Sequence, residues 1–169
     1  SPGPEREALL GRLHAIAHAQ ALLAAPNKRS VRIRELITAE LAPYEHHVAV
    51  GGTDVELQPK AVTVLSLAIH ELATNAAKHG ALSALGGRVT VRWQVEPGGH
   101  EGDVLRLSWS ESGGPPVAIP KRQGYGRTLL ETAPYLSLRA VMTMDFKPEG
   151  LVYTLAAPLS GMGAVFRPQ

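Results

Sequence analysis

One stretch of the chain constrains its fold more than any other. Between Pro59 and Gly80, the apolar residues Leu65, Ala68, Ile69, Leu72, Ala73 and Ala76 recur at i, i+3, i+4, i+7, i+8 and i+11. That is the period of a helix with one buried face. Pro59 suits a first helical turn, where its missing N–H is not needed, and Gly80 suits a C-cap. A helix with so long an apolar stripe needs an apolar surface to lie on, and the chain downstream supplies one. Val89, Val91, Trp93 and Val95 alternate with Thr90, Arg92 and Gln94. A Gly98-Gly99 turn follows, then Val104, Leu105, Leu107 and Trp109. This pattern predicts a long hairpin. A second hairpin is expected over Leu138 to Phe146 and Leu151 to Leu159, turning at Pro148-Glu149-Gly150.

The remaining segments fit around that core. Glu5 to Ala25 has helical spacing, with Leu9, Leu13, Ile16, Ala17, Gln20 and Leu23 as its expected stripe, and Pro26-Asn27 stops it. A second amphipathic helix is expected from about Val31 to Leu41, with Ile33, Leu36, Ile37 and Leu41 inward and Pro43 at its end. Val48-Ala49-Val50, before Gly51-Gly52, reads as a short strand, and Val55 to Leu57 is a candidate for another. Ser112 to Gly126 is a Gly/Pro-rich loop, and Tyr125 to Ala133 a short helix stopped by Pro134. Aromatic residues are only 5% of the 169, so the core is aliphatic. Helices early and mostly antiparallel strands late predict a single α+β sandwich, one sheet covered by helices.

Several chemistries are excluded. With no cysteine, there is no disulfide scaffold, no thiolate nucleophile and no Cys-based zinc site. Seventeen basic against 15 acidic residues, a net charge of +2, gives no ground for a nucleic-acid partner. No apolar run reaches the roughly 18 residues of a membrane span, and no signal-peptide pattern opens the chain. A cytoplasmic domain without membrane contact is expected, and Ser1-Pro2-Gly3-Pro4 reads as linker, so the domain is expected to belong to a longer protein. His70-Glu71 begins the zinc-protease pattern, but Thr74 stands where the second histidine belongs. His14 and His18 have metal-chelating spacing without a third ligand, and His46-His47 carries no motif. Neither a G-x-x-x-x-G-K-[ST] loop nor a G-x-S-x-G elbow is present.

The polar side of the Pro59–Gly80 helix remains. Glu71, Asn75 and Lys78 lie at i, i+4 and i+7, on one face about 100° from the apolar stripe. His70, Thr74 and His79 stand beside them. Oxygen ligands suit Mg²⁺, which takes one or two protein ligands beside substrate phosphates, and a lysine one turn on neutralises a phosphate oxygen. The same spacing equally suits a solvated face with a Glu–Lys surface pair, and spacing alone leaves both readings open. Further on, Glu111-Ser112-Gly113-Gly114-Pro115 follows a strand directly, and Gly124-Tyr125-Gly126 opens a helix, with Arg127-Thr128 behind. Glycines at a helix start let backbone N–H groups approach an anion. A carboxylate at a strand end can accept the amino group of a purine.

The order of these motifs resembles the ATP-binding domain of the GHKL superfamily, and specifically the HWE-type sensor histidine kinases. His70-Glu71-Leu72-Ala73-Thr74-Asn75-Ala76-Ala77-Lys78-His79-Gly80 is similar to that family's N box. Trp109-Ser110-Glu111 with Gly113-Gly114 is similar to its first glycine box, and Gly124-Tyr125-Gly126 to the second. The resemblance runs from about residue 9 to 159. It implies the Bergerat fold, a mixed sheet backed by helices, with ATP between them under a lid.

Roles follow by resemblance. Asn75 is expected to coordinate Mg²⁺ on the nucleotide phosphates, with Lys78 and His79 contacting phosphates and His70 beside them. Glu111 stands where the wider superfamily has the adenine-reading aspartate. Gly113, Gly114, Gly124, Tyr125, Gly126, Arg127 and Thr128 are expected to shape the adenine and lid walls. Glu71 either activates a nucleophile or orders metal-bound water, and Trp109 is expected to pack beside the site. Pro115 replaces a glycine of the wider superfamily, as in HWE members. The family's phosphoacceptor box is absent: residues 1–27 are expected to be a remnant of the dimerisation hairpin, 28–160 the ATP-binding domain and 161–169 a tail. The implied reaction passes the γ-phosphoryl of ATP to a histidine outside this chain, in a homodimer, and then to a response-regulator receiver domain. A serine/threonine kinase of the same superfamily and a non-catalytic docking module are the alternatives.

Overall fold

The computed structural model describes residues 3–24, 30–116 and 125–168. In chain order they form α1 (Pro4–Leu23), β1 (Val31–Arg32), α2 (Ile33–Glu40), β2 (Val48–Gly52), β3 (Val55–Leu57), α3 (Pro59–His79), β4 (Arg88–Glu96) and β5 (Val104–Ser112). Then come α4 (Tyr125–Arg127), a π-helical turn (Thr128–Thr132), α5 (Ala133–Leu138), β6 (Val141–Lys147), β7 (Gly150–Pro158) and β8 (Gly163–Val165). Short 3₁₀ turns join several of them. A five-stranded sheet runs in the order β2-β4-β5-β7-β6, with β2 parallel to β4 and the other pairs antiparallel. The sheet is therefore mixed, and helices cover one of its faces, as the sequence predicts.

The helix α3 organises the packing. Leu65, Ala68, Ile69, Leu72, Ala73 and Ala76 are all buried. They face the inward residues of the sheet: Val89, Val91 and Trp93 from β4, Leu105, Leu107 and Trp109 from β5, and Tyr153 and Leu155 from β7. The alternation continues on the outer face, where Arg92, Ser108 and Thr154 meet in cross-strand register. A second, three-stranded antiparallel sheet, β1-β3-β8, closes the end of the core.

Four local expectations are corrected. Val31-Arg32 is a strand paired with Leu57 and Glu56, so α2 begins two residues later than predicted. The α1 stripe faces the other way: Leu9 and Leu13 are exposed, while Ala15 and Ala19 are buried. Small side chains let α1 lie close against α3, and Gly11 marks the limit, since a Cβ there would stand 3.0 Å from His70 Nε2. Pro134 does not stop its helix. It occupies the first turn of α5, where no N–H is needed, and the π turn before it carries the chain through. Leu138 consequently ends a helix, and the following strand begins at Val141.

Among the described residues no helix is long and apolar enough to cross a membrane. The π turn is held from below: the Tyr153 hydroxyl, buried on β7, donates to the Leu130 carbonyl at 2.6 Å, and burial raises the phenol well above its ordinary pKa. Tyr153→Phe leaves that carbonyl without its partner and is expected to cost about 1–2 kcal/mol. In a thermal scan this appears as a midpoint lowered by about 2–8 °C.

Candidate functional site

Along α3 the polar residues fall into two groups. Glu71 is buried, at 7% exposure, and is not part of a solvated face. Arg12 of α1 covers it: Arg12 Nη2 lies 3.3 Å from Glu71 Oε2 and 3.4 Å from Oε1, and Nε lies 3.4 Å from Oε2. The surface pair of Glu71 with Lys78 therefore does not form. Gly126 of α4 is also packed on Glu71, and a Cβ there would overlap its carboxylate. His70 is half-buried against α1. Burial lowers its pKa, Arg12 and His14 push in the same direction, and Glu71 opposes them. The Thr74 hydroxyl donates to the His70 carbonyl at 2.8 Å.

The second group lies toward the C-terminal end. Asn75 is half-buried, and Lys78 and His79 are exposed. Among the described residues, none of these three side chains has a hydrogen bond or an ion pair. Just beyond them, Glu111 at the end of β5 is buried and doubly engaged. Its Oε1 accepts from the Ala81 backbone N–H at 3.0 Å, and its Oε2 from the Trp109 indole N–H at 3.0 Å. Trp109 does more than pack: it fixes the carboxylate two residues along its own strand. Gly80 follows α3 as predicted, though with φ −120° and ψ −150° rather than a left-handed cap. What requires glycine there is space, since a Cβ would overlap Glu111 Oε1.

The two glycine motifs flank this region. Gly113 takes a left-handed φ of 72°, and Gly114 lies on the Ala81 backbone, where a Cβ would stand 2.7 Å from Ala81 Cα. Gly126 lies on Glu71. The described ends of this segment are thus seated at Ala81 and at Glu71, with Asn75 and Lys78 between them in the chain. Gly124 lies outside the described residues. Tyr125 begins α4, Thr128 begins the π turn, and Arg127 Nε is paired with Glu131 at 3.0 Å.

Other candidates carry less. His18 Nδ1 lies 3.5 Å from the buried Glu40 Oε1, and His47 Nδ1 lies 3.2 Å from the Gly87 carbonyl oxygen. Among the described residues no cluster of three or more His, Asp or Glu is placed to hold a metal. A cavity of about 640 Å³ opens between β2, β4 and β5, lined by Arg92, Arg106 and Ser108 among others; none of its lining residues belongs to α3. Sequence reasoning missed Arg12, Gly11 and Ala81. The small residues Ala8, Gly11, Ala15 and Ala19, spaced three and four apart, are the signal that shows α1's inward face, with Arg12 at its edge.

Comparison with known proteins fits this geometry. The family model described as HWE histidine kinase matches residues 2–58. Blue-light-activated histidine kinase 1 of Erythrobacter litoralis is 38% identical over 152 residues, covering 86% of this chain. The chain is similar to HWE histidine kinases along most of its length. A blue-light-activated histidine kinase of Brucella anthropi is 34% identical over 164 residues, or 94% of the chain. The chain spans only 41% and 33% of the length of these two relatives. The fold is that of histidine kinase catalytic domains. The kinase domain of the Erythrobacter litoralis EL346 blue-light activated histidine kinase superposes with a TM-score of 0.65 at 19% identity, over 90% of this chain and 75% of that one. The mycobacterial sensor histidine kinase MprB does so with 0.57 at 18%, over 81% and 98%.

Two outcomes are expected. Gly126→Ala drives a methyl into a carboxylate that Arg12 holds in place and lowers stability by about 1–3 kcal/mol. In a double-mutant cycle with Glu71→Ala the two losses should be non-additive by about 0.5 kcal/mol or more. His70 has a lowered pKa when folded, so the unfolded chain takes up its proton first. Its contribution to stability is present above the ordinary histidine pKa of about 6.5 and is lost as the pH falls through and below it. Denaturant titrations at pH 7.5 and 5.5 should show the acid-side loss reduced in His70→Gln.

Proposed function

We propose that this chain is the ATP-binding catalytic domain of a sensor histidine kinase. It would transfer the γ-phosphoryl of ATP to a histidine imidazole, from which it passes to an aspartate of a response-regulator receiver domain. The observation that carries the reading is the placement of Asn75, Lys78 and His79. Three polar side chains without partners among the described residues lie between two glycine-marked seats, one on α3 at Glu71 and one in the turn after it at Ala81. The E. litoralis and Brucella relatives, named as histidine kinases, support it.

The residues suit a magnesium nucleotide. Mg²⁺ keeps most of its waters and needs only one or two protein oxygens beside phosphates. Asn75 offers such an oxygen, half-buried and without another partner among the described residues, and would hold the ion. Bound there, Mg²⁺ would neutralise charge on the phosphates. Lys78 and His79 would meet phosphate oxygens from the exposed end of α3. Phosphoryl transfer asks a protein mainly to position groups and to stabilise spreading charge, and these side chains can do both. Glu111 uses one hydrogen bond at each oxygen, and a carboxylate has about four lone-pair sites. It retains capacity for an adenine amino group while bracing the turn after α3.

We assign residues 1–27 to the remnant of a dimerisation hairpin, 28–160 to the ATP-binding unit and 161–169 to its C-terminal extension. Leu9, Leu10 and Leu13 are exposed on the outward side of α1, which supports a homodimer formed through that helix. Gly113, Gly114, Gly124 and Gly126 would wall the adenine and the phosphates, with Tyr125, Arg127 and Thr128 at the lid end. His70 would act from behind, as packing for Glu71 and Asn75.

Thermal scans with and without Mg·ATP test the assignment. Ligand at about 100 times Kd adds roughly 2.7 kcal/mol, a rise of about 5–10 °C for a chain this size. The rise should require Mg²⁺ and disappear in Asn75→Ala; a magnesium-independent rise that survives the substitution would refute the role of Asn75. Glu111→Ala should weaken ATP more than a pyrimidine triphosphate, and equal losses for both would remove the adenine assignment.

A further inference from the structure

The ion pair between Arg12 and Glu71 has a bearing on what the site does with its nucleotide. Glu71 stands one helical turn before Asn75 on the same face, so a nucleotide held at Asn75 would have this carboxylate one turn away. A free carboxylate there can accept a proton from water. In that reaction a water oxygen forms a bond to the γ-phosphorus, and the bond from the γ-phosphorus to the β–γ bridging oxygen breaks. The water proton goes to Glu71, and ADP and phosphate leave. Glu71 is not free. The guanidinium of Arg12 lies 3.3–3.4 Å from both its oxygens, the two side chains are only 18% and 10% exposed, and Gly126 is packed against the same carboxylate.

We propose that Arg12 is a positioning residue of the nucleotide site: by holding both oxygens of Glu71 it denies water a base and keeps ATP hydrolysis slow. This rests on the nucleotide reading given above. The contact comes from α1 and not from the helix or loops that carry the other site residues. Whatever draws α1 away from α3 therefore also releases Glu71. The neighbouring contact of Gly11 with His70 sets the same register, so the two contacts form and part together.

The test measures Mg·ATP binding and steady-state ATP hydrolysis by this chain in wild type, Arg12→Gln, Arg12→Lys, Glu71→Gln and the Arg12→Gln/Glu71→Gln pair. General-base assistance is worth about 10²–10⁴-fold, so Arg12→Gln should raise kcat for hydrolysis about tenfold or more while KM for Mg·ATP stays within about twofold. The paired variant should lose that gain, because no carboxylate remains. Arg12→Lys keeps a cation against Glu71 and should restore most of the suppression, which loosened packing of α1 would not explain. Arg12→Gln that binds Mg·ATP like wild type and hydrolyses it no faster overturns the role of Arg12 and leaves the nucleotide site standing. A gain in kcat that persists in the paired variant also overturns it. Wild type that binds no Mg·ATP at millimolar concentration overturns the nucleotide reading, and the role of Arg12 with it.

Discussion

Everything else in this molecule depends on α3 being covered on two sides at once. Its apolar stripe lies on the sheet, and α1 crosses its back. What remains is a narrow polar edge, and the side chains on that edge are sorted by depth. Glu71 is under α1, Asn75 is half-buried, and Lys78 and His79 reach solvent. The depth decides which ion pairs matter. Exposed pairs such as Arg106 with Glu96 are screened by water and add little to stability. Removing one partner of a buried pair costs about 3–5 kcal/mol, because a charge is left unpaired in low dielectric. Arg12–Glu71 is near the second case, so α1 is fixed to α3 by charge as well as by packing.

The far end of the edge is braced differently. Among the described residues, Glu111 is a buried carboxylate that forms no ion pair. Two neutral donors, the Ala81 amide and the Trp109 indole, hold it instead. Those bonds tie the end of β5 to the turn after α3 and leave no room for a side chain at Gly80. The W-x-E spacing thus has a mechanical reading beside its recognition reading. Trp109 and Glu111 point to the same side of one strand, and the indole reaches exactly as far along that side as the carboxylate requires.

The parts of the fold that were legible in the sequence are those where one period persists over many residues. The bounds of α3, its buried stripe and the β4–β5 hairpin could be read directly, because ten or more residues repeat one pattern. Of the β1-β3-β8 sheet only β3, Val55 to Leu57, could be anticipated: strands of two or three residues carry too few side chains to show alternation. The α1 stripe misled because leucines dominate any count of hydrophobicity, while close helix packing selects alanine and glycine. At Pro134 the rule that proline stops a helix met a π turn that made the position a new first turn. In the site, Asn75, Lys78 and the glycine motifs were legible from spacing and from family resemblance. The burial of Glu71 was not, since it depends on a partner 59 residues away.

The small residues on α1 have a mechanical consequence. Gly11 meets His70 where a Cβ would already press at 3.0 Å, and its neighbours in the chain are Leu10 and Arg12. Turning α1 by one residue is a rotation of about 100°. It would bring a long side chain to a place that tolerates none. Sliding the helix by a fraction of a turn meets the same obstacle. The helix is therefore keyed to its seat like a shaft in a slotted collar: it can be engaged or lifted clear, and it has no stable halfway position.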